Sequence, residues 1–320
     1  MEKTAVLLVN LGTPAAPEPA AVRTYLAEFL GDRWVIDKPR WQWLPILHGI
    51  ILRVRPPKVA RIYREIWRPE GSPLLYFSRL QQAALQERLA PEGIQVALGM
   101  TYGEPSVKSA LEELRRWGAR RLVVLPLFPQ YSSTTTAPVW SKVQKALAGW
   151  RDLPGQSFVR EFPTHPKYLA FIEDRVQAYL AEKGKPDALV LSYHSIPQAY
   201  ADAGDDYPAQ CELTTEAVRG RFPNLKILMG YQSKFGNDPW LEPATDDVLR
   251  DLARTGHKHV AIMAPGFAAD CIETLHELEV EYAEEFLAAG GEQLHYLPAA
   301  NDHPLFIDCL EDLVRRHLRE

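Results

Sequence analysis

Short apolar runs alternate along the chain with longer segments in which apolar residues recur every three or four positions. The runs predict β-strands and the longer segments predict helices. The predicted strands are residues 4–10, 94–102, 121–128, 187–193, 226–232, 259–265 and 293–298. The predicted helices are residues 18–30, 76–90, 105–117, 134–149, 166–183, 208–221, 244–255, 272–289 and 303–318. Apolar strands that alternate with helices are typical of parallel sheets with both faces covered.

A break in this pattern falls near residues 150–165, where proline, glycine and polar residues cluster. The alternation then resumes, and LVLSYHSIP (189–197) is similar to VLLVNLGTP (6–14). We therefore predict an α/β fold of two similar doubly wound lobes, each with a parallel four-stranded sheet flanked by helices, and a cleft between them. The predicted boundaries are 1–160 for the first lobe, 161–302 for the second, and 303–320 for a final helix that packs back on the first.

Composition restricts the class of protein. The chain has 320 residues and a net charge of −5, so it has no basic character of the kind that binds nucleic acid. The longest apolar stretch, residues 43–54, is shorter than the ~20 residues that span a bilayer. The N-terminus has no signal-peptide pattern, and the scattered cysteines are typical of a reducing cytosol. No GxGxxG or P-loop pattern follows a predicted strand. We expect a cytoplasmic protein with no nucleic-acid partner.

A histidine ends an apolar strand of the second lobe, in DALVLSYHSIP (187–197). Ligands of open parallel sheets bind beyond the carboxyl ends of the strands. His194 is therefore predicted to lie where such a fold presents its chemistry. The alternative is a structural histidine that only forms hydrogen bonds at the strand end.

A predicted helix of the same lobe has a row of acids on one face, formed by Glu273, Glu277, Glu281 and Glu284. Residues 271–292 hold seven carboxylates and no lysine or arginine, although like charges four positions apart in a helix cost roughly 0.2–0.5 kcal/mol per pair. A visiting cation or mobile protons explain such a row, and oxygen ligands with an imidazole suit Fe²⁺. We also predict a π-type irregularity near 273–281, because functional helices often carry one.

Glu273 has an alternative role at the start of this helix. Asp270 can cap the helix, and a glutamate three residues later completes a capping box. Topology favours a site instead, because His194 and Glu273 both follow strands of the second lobe and the ends of parallel strands share one edge. Together the two side chains would form an incomplete, open metal site.

Aromatic side chains mark further candidate positions. Trp41 and Trp43 precede the run ILHGIIL (46–52) of the apolar stretch 43–54. This segment is either core or a lip for a flat apolar ligand or a membrane surface. Tyr102 closes a strand end of the first lobe. Trp240, in an irregular loop of the second lobe, either lines a wall of the site or holds a surface loop together.

The segments that carry these residues resemble the ferrochelatase family in order and spacing, over essentially the whole chain. They are LLVNLGTP, EGSPL, PLFPQYSSTTT, LSYHSIP, GDDYPAQC, YQSKFGNDPWLEPATD and PGFAADCIETLHEL. The pair YHSIP and CIETLHEL is highly specific to that family. The resemblance implies the last step of haem synthesis, in which Fe²⁺ as substrate enters protoporphyrin IX and two protons are released.

The resemblance also implies roles for individual residues. His194 and Glu273 match the family's catalytic, metal-side pair, one of which binds metal while the other accepts pyrrole protons. Glu277 and Glu281 match a line of acids that conducts metal or protons, and Asp270 is assigned to the same conduit. The predicted porphyrin contacts are Leu11, Tyr102 and Trp240.

Departures from the family pattern refine the expected substrate. Leu11 stands where the coproporphyrin-using branch characteristically has a tyrosine, and residues 43–54 resemble the membrane-contacting lip of protoporphyrin-using relatives. Both features favour protoporphyrin IX and peripheral contact with the inner face of a membrane. We expect no iron–sulfur cluster and no other prosthetic group, because the cysteine-bearing extension of some relatives has no counterpart here.

Two other functions fit part of this pattern. A non-catalytic carrier of porphyrin or haem would use the lip and the cleft but would not need His194 opposite an acidic helix. A chelatase for another tetrapyrrole or metal stays open as well, because basic residues around the mouth suit a substrate with many carboxylates and the chain has Arg33, Lys38 and Arg40. An imidazole with an ordinary pKa near ~6.5 suits proton acceptance at neutral pH, which favours the enzyme.

Overall fold

The structure is a computed structural model and describes residues 3–234, 236 and 238–319. These residues form two compact units. The first unit contains the residues up to Phe128, Ser132–Arg160 and the residues from Leu310 onward. The second contains Pro129–Tyr131 and Glu161–Cys309.

The first unit is built on four strands, with helices between them. The strands are β1 (Thr4–Gly12), β2 (Gln95–Tyr102), β3 (Arg121–Pro126) and β4 (Gly155–Phe158). The helices are α1 (Pro19–Leu30), α2 (Arg40–Ile46), a first π-helix (Leu47–Ile51), α3 (Leu52–Ile66), α4 (Pro73–Leu89), a 3₁₀ turn (Ala90–Glu92), α5 (Val107–Trp117) and α6 (Thr136–Leu147).

The second unit repeats this arrangement. Its strands are β5 (Ala188–His194), β6 (Ile227–Gln232), β7 (His259–Met263) and β8 (Gln293–Leu297). Its helices are α7 (Pro166–Lys183), α8 (Gln198–Asp202), α9 (Tyr207–Arg221), α10 (Thr245–Arg254), a second π-helix (Glu273–Glu281), α11 (Tyr282–Ala288) and the first part of α12 (Pro304–Arg319).

Both sheets are parallel and have the same strand order. The order is β2-β1-β3-β4 in the first unit and β6-β5-β7-β8 in the second, which confirms the predicted fold class of two parallel four-stranded sheets flanked by helices. In each sheet the first strand in sequence lies between the second and the third. The next two strands are therefore added on opposite sides of it. Such a switch point is where open α/β sheets bind ligands, outside the carboxyl ends of the strands. The end of β5, which is His194, lies at this point.

Apolar side chains of each sheet pack against helices. In the first unit, Leu7 and Val124 are buried with Leu111 of α5 and Val143 of α6. In the second, Val190, Ile262, Leu249 of α10, Leu278 and Phe286 of α11 form the corresponding cluster. Full burial of such side chains contributes roughly 1.5–3 kcal/mol each, so the sheets hold their strand ends in fixed positions.

Local sequence accounts for helix boundaries near the strands. The Ser106 hydroxyl accepts a hydrogen bond from the Ser109 N–H at 3.2 Å and so caps α5. Gly118 ends the same helix with φ +92°, a backbone conformation that glycine adopts without steric cost. Pro166 begins α7 at a position where the absent N–H costs no hydrogen bond.

Two parts of the first unit differ from the sequence prediction. Strand β4 lies inside the predicted break at 150–165. The sequence does not predict this strand, because its four residues are half-exposed or exposed and have no apolar pattern. Helices α2 and α3 were not predicted either. Pro45 lies inside α2 and Pro56 and Pro57 lie inside α3, and prolines at these positions hide a helical pattern.

Candidate active site

His194 is the last residue of β5 and is half-buried. Its Nδ1 lies 2.7 Å from the carbonyl oxygen of Ser195. Because a carbonyl oxygen can only accept a hydrogen bond, Nδ1 carries the proton and the neutral ring keeps its lone pair on Nε2. That nitrogen can bind a metal ion or accept a proton, which are the roles predicted for this residue.

The loop that carries Trp240 pairs with the chain that follows His194. Trp240 forms an isolated antiparallel bridge with Pro197, and the Leu241 N–H donates to the Ile196 carbonyl at 3.1 Å. The Gln198 N–H donates to the Pro239 carbonyl at 2.9 Å. These bonds hold the half-buried Trp240 near the end of β5. Positions 235 and 237 of the same loop lie outside the described residues, and the porphyrin contact of Trp240 stays a prediction.

The predicted π-type irregularity is confirmed as a π-helix that spans Glu273–Glu281. Helices of this kind are rare, usually confined to a single turn, and frequent at functional sites. Glu273 and Glu277 are half-buried, whereas Glu281 is exposed. The predicted acids therefore become more exposed from Glu273 and Glu277 to Glu281.

Glu277 is held by donors from three positions. The Tyr282 hydroxyl donates to its Oε1 at 3.0 Å, and the Gln232 amide donates to its Oε2 at 3.2 Å. The Ser233 hydroxyl donates to the same Oε2. Burial and the Glu277 carboxylate raise the pKa of Tyr282 far above its ordinary value, so its hydroxyl remains a donor at neutral pH.

Glu281 and Glu285, which lie further along this segment, have fewer hydrogen-bond donors than Glu277 among the described residues. Glu281 lies 3.4 Å from His276 Nε2, and Glu285 lies one turn further, on α11. Burial raises the pKa of Glu285, and so do the charges of Asp246, Glu281 and Glu277. The Arg250 guanidinium partly offsets this rise. Partial burial, followed by Asp270, raises the pKa of Glu279. The acidic segment 271–292 thus includes carboxylates whose pKa is raised above the ordinary value.

Asp270 is buried and enclosed by neutral donors. Its Oδ1 accepts from the Tyr296 hydroxyl at 2.5 Å and from the Thr274 hydroxyl at 3.0 Å, and its Oδ2 accepts from the Asn301 amide at 2.7 Å. The Ala299 N–H adds a longer bond to Oδ1 at 3.3 Å. The contacts give this carboxylate a structural role at the start of the π-helix, and its part in a conduit stays a prediction.

The capping-box alternative for Glu273 is wrong. In a capping box the glutamate side chain accepts the N–H of the capping residue, but the Asp270 N–H donates to Asn301 Oδ1 at 2.9 Å. Glu273 instead lies beside Cys271. Burial, followed by the nearby Glu273, raises the pKa of the Cys271 thiol well above its ordinary value, so the thiol stays protonated at neutral pH.

The predicted porphyrin contacts of the first unit lie at neighbouring strand ends. Leu11 is half-buried and packs against the apolar cluster of this unit. Tyr102 is fully buried; its hydroxyl donates to Asp32 at 3.0 Å and Lys142 Nζ lies 4.3 Å from its ring centroid. Gly12 pairs with Tyr102 at φ +116°, where a Cβ would lie 1.8 Å from the Tyr102 carbonyl oxygen. The porphyrin contacts of Leu11 and Tyr102 stay predictions.

Sequence reasoning missed the polar residues that organise this site. Gln232, Ser233, Tyr296 and Asn301 contact the predicted acids, yet none has a charge or a periodic position that marks it. The segment YQSK contains two of them, and its match to the family was the available signal. Among the described residues, no group of three or more His, Cys, Asp or Glu side chains could hold a metal ion.

The fold is shared with known chelatases. It is similar to SirB from Bacillus subtilis, whose structure was solved with Fe³⁺, with a TM-score of 0.58 and 12% identity over 98% of this chain and 95% of that one. It is also similar to CbiX, described as the terminal enzyme of sirohaem biosynthesis in denitrifying bacteria (TM-score 0.53, 14% identity, 98% and 99% covered). At such identities the likeness concerns the fold, which is that of the chelatases.

Sequence comparison gives the family within that class. The ferrochelatase family model matches residues 3–318. The coproporphyrin III ferrochelatase of Symbiobacterium thermophilum is 84% identical over 99% of both chains. The ferrochelatase of Yersinia enterocolitica is 52% identical over 99% of this chain and 98% of its own, and that of Pectobacterium atrosepticum is 53% identical over 98% of both. The chain belongs to the ferrochelatase family, whose members are lyases that insert Fe²⁺ into porphyrin.

Proposed function

We propose that this enzyme inserts Fe²⁺ into protoporphyrin IX, with His194 and Glu273 as the catalytic pair. The observation that supports these roles is the hydrogen bond of His194 Nδ1 to the Ser195 carbonyl, because it leaves the Nε2 lone pair available. Insertion requires that two pyrrole N–H protons leave as Fe²⁺ enters. One member of the pair accepts protons while the other binds the metal.

The acids of the π-helix support the removal of protons from the site. Glu273 and Glu277 are half-buried, and Glu281 is exposed with a side-chain exposure of 52%. Because the Glu281 carboxylate is exposed, a proton delivered to it can leave to solvent.

The porphyrin itself is the open part of the proposal, since two substrates have support. Leu11 supports protoporphyrin IX, because an apolar side chain stands where coproporphyrin-using relatives characteristically have a tyrosine. The name of the Symbiobacterium relative supports coproporphyrin III as the second candidate. The two porphyrins differ in that coproporphyrin III has propionates where protoporphyrin IX has vinyl groups.

Comparison of the two porphyrins tests this choice. We expect kcat/KM with protoporphyrin IX to exceed that with coproporphyrin III by about tenfold or more, a difference of roughly 1.4 kcal/mol in transition-state binding. Leu11→Tyr is expected to lower this ratio, and Leu153→Tyr, at an exposed position of the same unit, serves as the matched control. If kcat/KM of the wild-type enzyme is higher with coproporphyrin III, that porphyrin replaces protoporphyrin IX as the proposed substrate.

We also propose that the enzyme is cytoplasmic and contacts an anionic membrane surface through an apolar lip. The lip consists of the exposed residues Trp41, Leu44, Ile46, Ile50 and Val54. Helix α3 adds a basic rim of exposed side chains: Arg53, Arg55, Lys58, Arg61 and Arg64. Apolar side chains beside clustered cations are typical of helices that lie in a membrane interface. No helix of the described residues is long and apolar enough to cross a membrane.

Vesicle sedimentation tests the lip. Trp41 and Val54 are 76% and 69% exposed, and loss of their burial in lipid is expected to cost roughly 1.5–3 kcal/mol each. The variant Trp41→Ser with Val54→Ser should therefore bind phosphatidylglycerol vesicles at least about tenfold more weakly than wild type. Trp140→Ser changes an exposed tryptophan outside the lip and should bind normally. Equal binding by all three proteins would contradict membrane contact through this surface.

A further inference from the structure

Gln232 is a fully buried residue at the end of β6, and its side chain has one allowed orientation. Its Oε1 accepts from the Ser192 hydroxyl at 2.8 Å, and Ser192 in turn lies 2.8 Å from the Thr245 hydroxyl. Its Nε2 donates to the Glu273 carbonyl at 3.0 Å and to Glu277 Oε2 at 3.2 Å. A reversed amide would place an oxygen against two acceptors, so these contacts fix which end faces the π-helix.

The backbone of Gln232 is bound to the other half of the site. Gln232 is the parallel partner of His194 in the sheet, and its carbonyl accepts the Ser195 N–H at 2.8 Å. Ser195 is also the residue whose carbonyl accepts the His194 ring proton. One residue therefore contacts both the strand end that orients His194 and the helix that carries the acids.

We propose that Gln232 is a positioning residue for metal insertion, which holds the acidic π-helix in register with the strand end that orients His194. This inference rests on the proposed function, in which His194 and Glu273 are the catalytic pair and Glu277 belongs to the series of acids that removes protons. Gln232 contacts the acids through its amide and does not act on the porphyrin or the metal itself.

The chemistry of the contacts requires an amide at this position. Glutamate would offer only acceptors to Glu277 and to the Glu273 carbonyl, and methionine would remove the bonds from residue 232 to Ser192, the Glu273 carbonyl and Glu277. The next residue, Ser233, has φ +64° and donates its hydroxyl to Glu277 as well. Left-handed backbone at a serine persists where the surroundings compensate for it. Here Gln232 and Ser233 both donate to the Glu277 carboxylate.

Steady-state kinetics of Gln232→Met and Gln232→Glu test the proposal. Loss of a residue that orients metal-site groups typically costs 10–100-fold, so we expect kcat for metal insertion to fall by about that factor. The dissociation constant of the porphyrin, measured by fluorescence quenching, should change by less than about threefold. Gln210→Met is the matched control, because Gln210 is a buried glutamine of the same unit whose amide donates to Asp206 and not to the π-helix.

The split between kcat and porphyrin binding separates positioning from a general structural role. A variant that loses kcat, porphyrin affinity and thermal stability in parallel, or one that keeps the wild-type kcat, would overturn the proposal. Amide exchange provides a measurement that does not require turnover: Gln232→Met should accelerate exchange at residues 273–281, and Gln210→Met should not. An inactive wild-type protein would contradict the proposed function, and unchanged exchange at these residues would overturn the positioning role by itself.

Discussion

His194→Ala is expected to lower the rate of Fe²⁺ insertion by about 10³-fold, because a positioned acid or base contributes roughly 10²–10⁴ to a rate. The imidazole is held by Ser195 with its lone pair on Nε2, and alanine offers neither a metal ligand nor a proton acceptor there. Porphyrin binding should persist, since apolar contacts provide most of the affinity for a large flat ligand. The measurement is anaerobic absorbance, which follows conversion of the free-base spectrum to that of haem.

The control for this prediction is His257→Ala. His257 lies in the same unit but just before β7, at the opposite end of the strands from His194, and its loss should leave turnover unchanged. Turnover by His194→Ala within tenfold of wild type would assign the catalytic role to Glu273 without the histidine. One-to-one porphyrin binding without turnover, in both wild type and His194→Ala, would favour the carrier function over the enzyme.

Asp270→Asn is expected to lower the free energy of unfolding by about 3 kcal/mol. The carboxylate accepts hydrogen bonds from Tyr296, Thr274 and Asn301, and bonds to a charged group contribute roughly 1.5–3 kcal/mol each. An asparagine amide replaces one acceptor oxygen with a donor, so at least one buried donor loses its partner. Urea unfolding, with amide exchange in β8 as a local measure, would detect the loss.

Two variants separate this network from the general cost of substitution. Asp302→Asn makes the same change at an exposed position nearby and should alter stability by less than about 0.5 kcal/mol. Asn301→Gly keeps a backbone that tolerates φ +49° while it removes the amide, and should cost about 1–2 kcal/mol. An Asp270→Asn protein as stable as Asp302→Asn would show that the carboxylate contributes no net stability.

The sheets and most helices followed from the apolar pattern because the strands are buried on both faces. Strand β5 was predicted as 187–193 and is observed as Ala188–His194, and β6 was predicted as 226–232 and is observed as Ile227–Gln232. Strand β4 escaped prediction because it is the short strand at the edge of its sheet and is only partly covered. The pattern is informative only where burial imposes it.

The candidate site was predictable only in its charged members. His194 at a strand end and the acidic row from Glu273 stand out by residue type and position. Gln232 and Asn301 do not, because an uncharged amide is common anywhere in a chain. Their importance depends on which groups they contact, at distances of about 3 Å that strand register and helix placement determine.

The sequence by itself determined the alternation of strands and helices, the repeat of two α/β units, and the presence of an imidazole and a row of carboxylates in the second unit. These properties are local, since periodicity, turn residues and charge density are read within a few neighbouring positions. Only the tertiary structure decided that Glu273 forms no capping box, that Asp270 is enclosed by donors, and that Gln232 joins the end of β5 to the π-helix. Such hydrogen bonds connect residues tens of positions apart, and their formation depends on packing that no local pattern encodes.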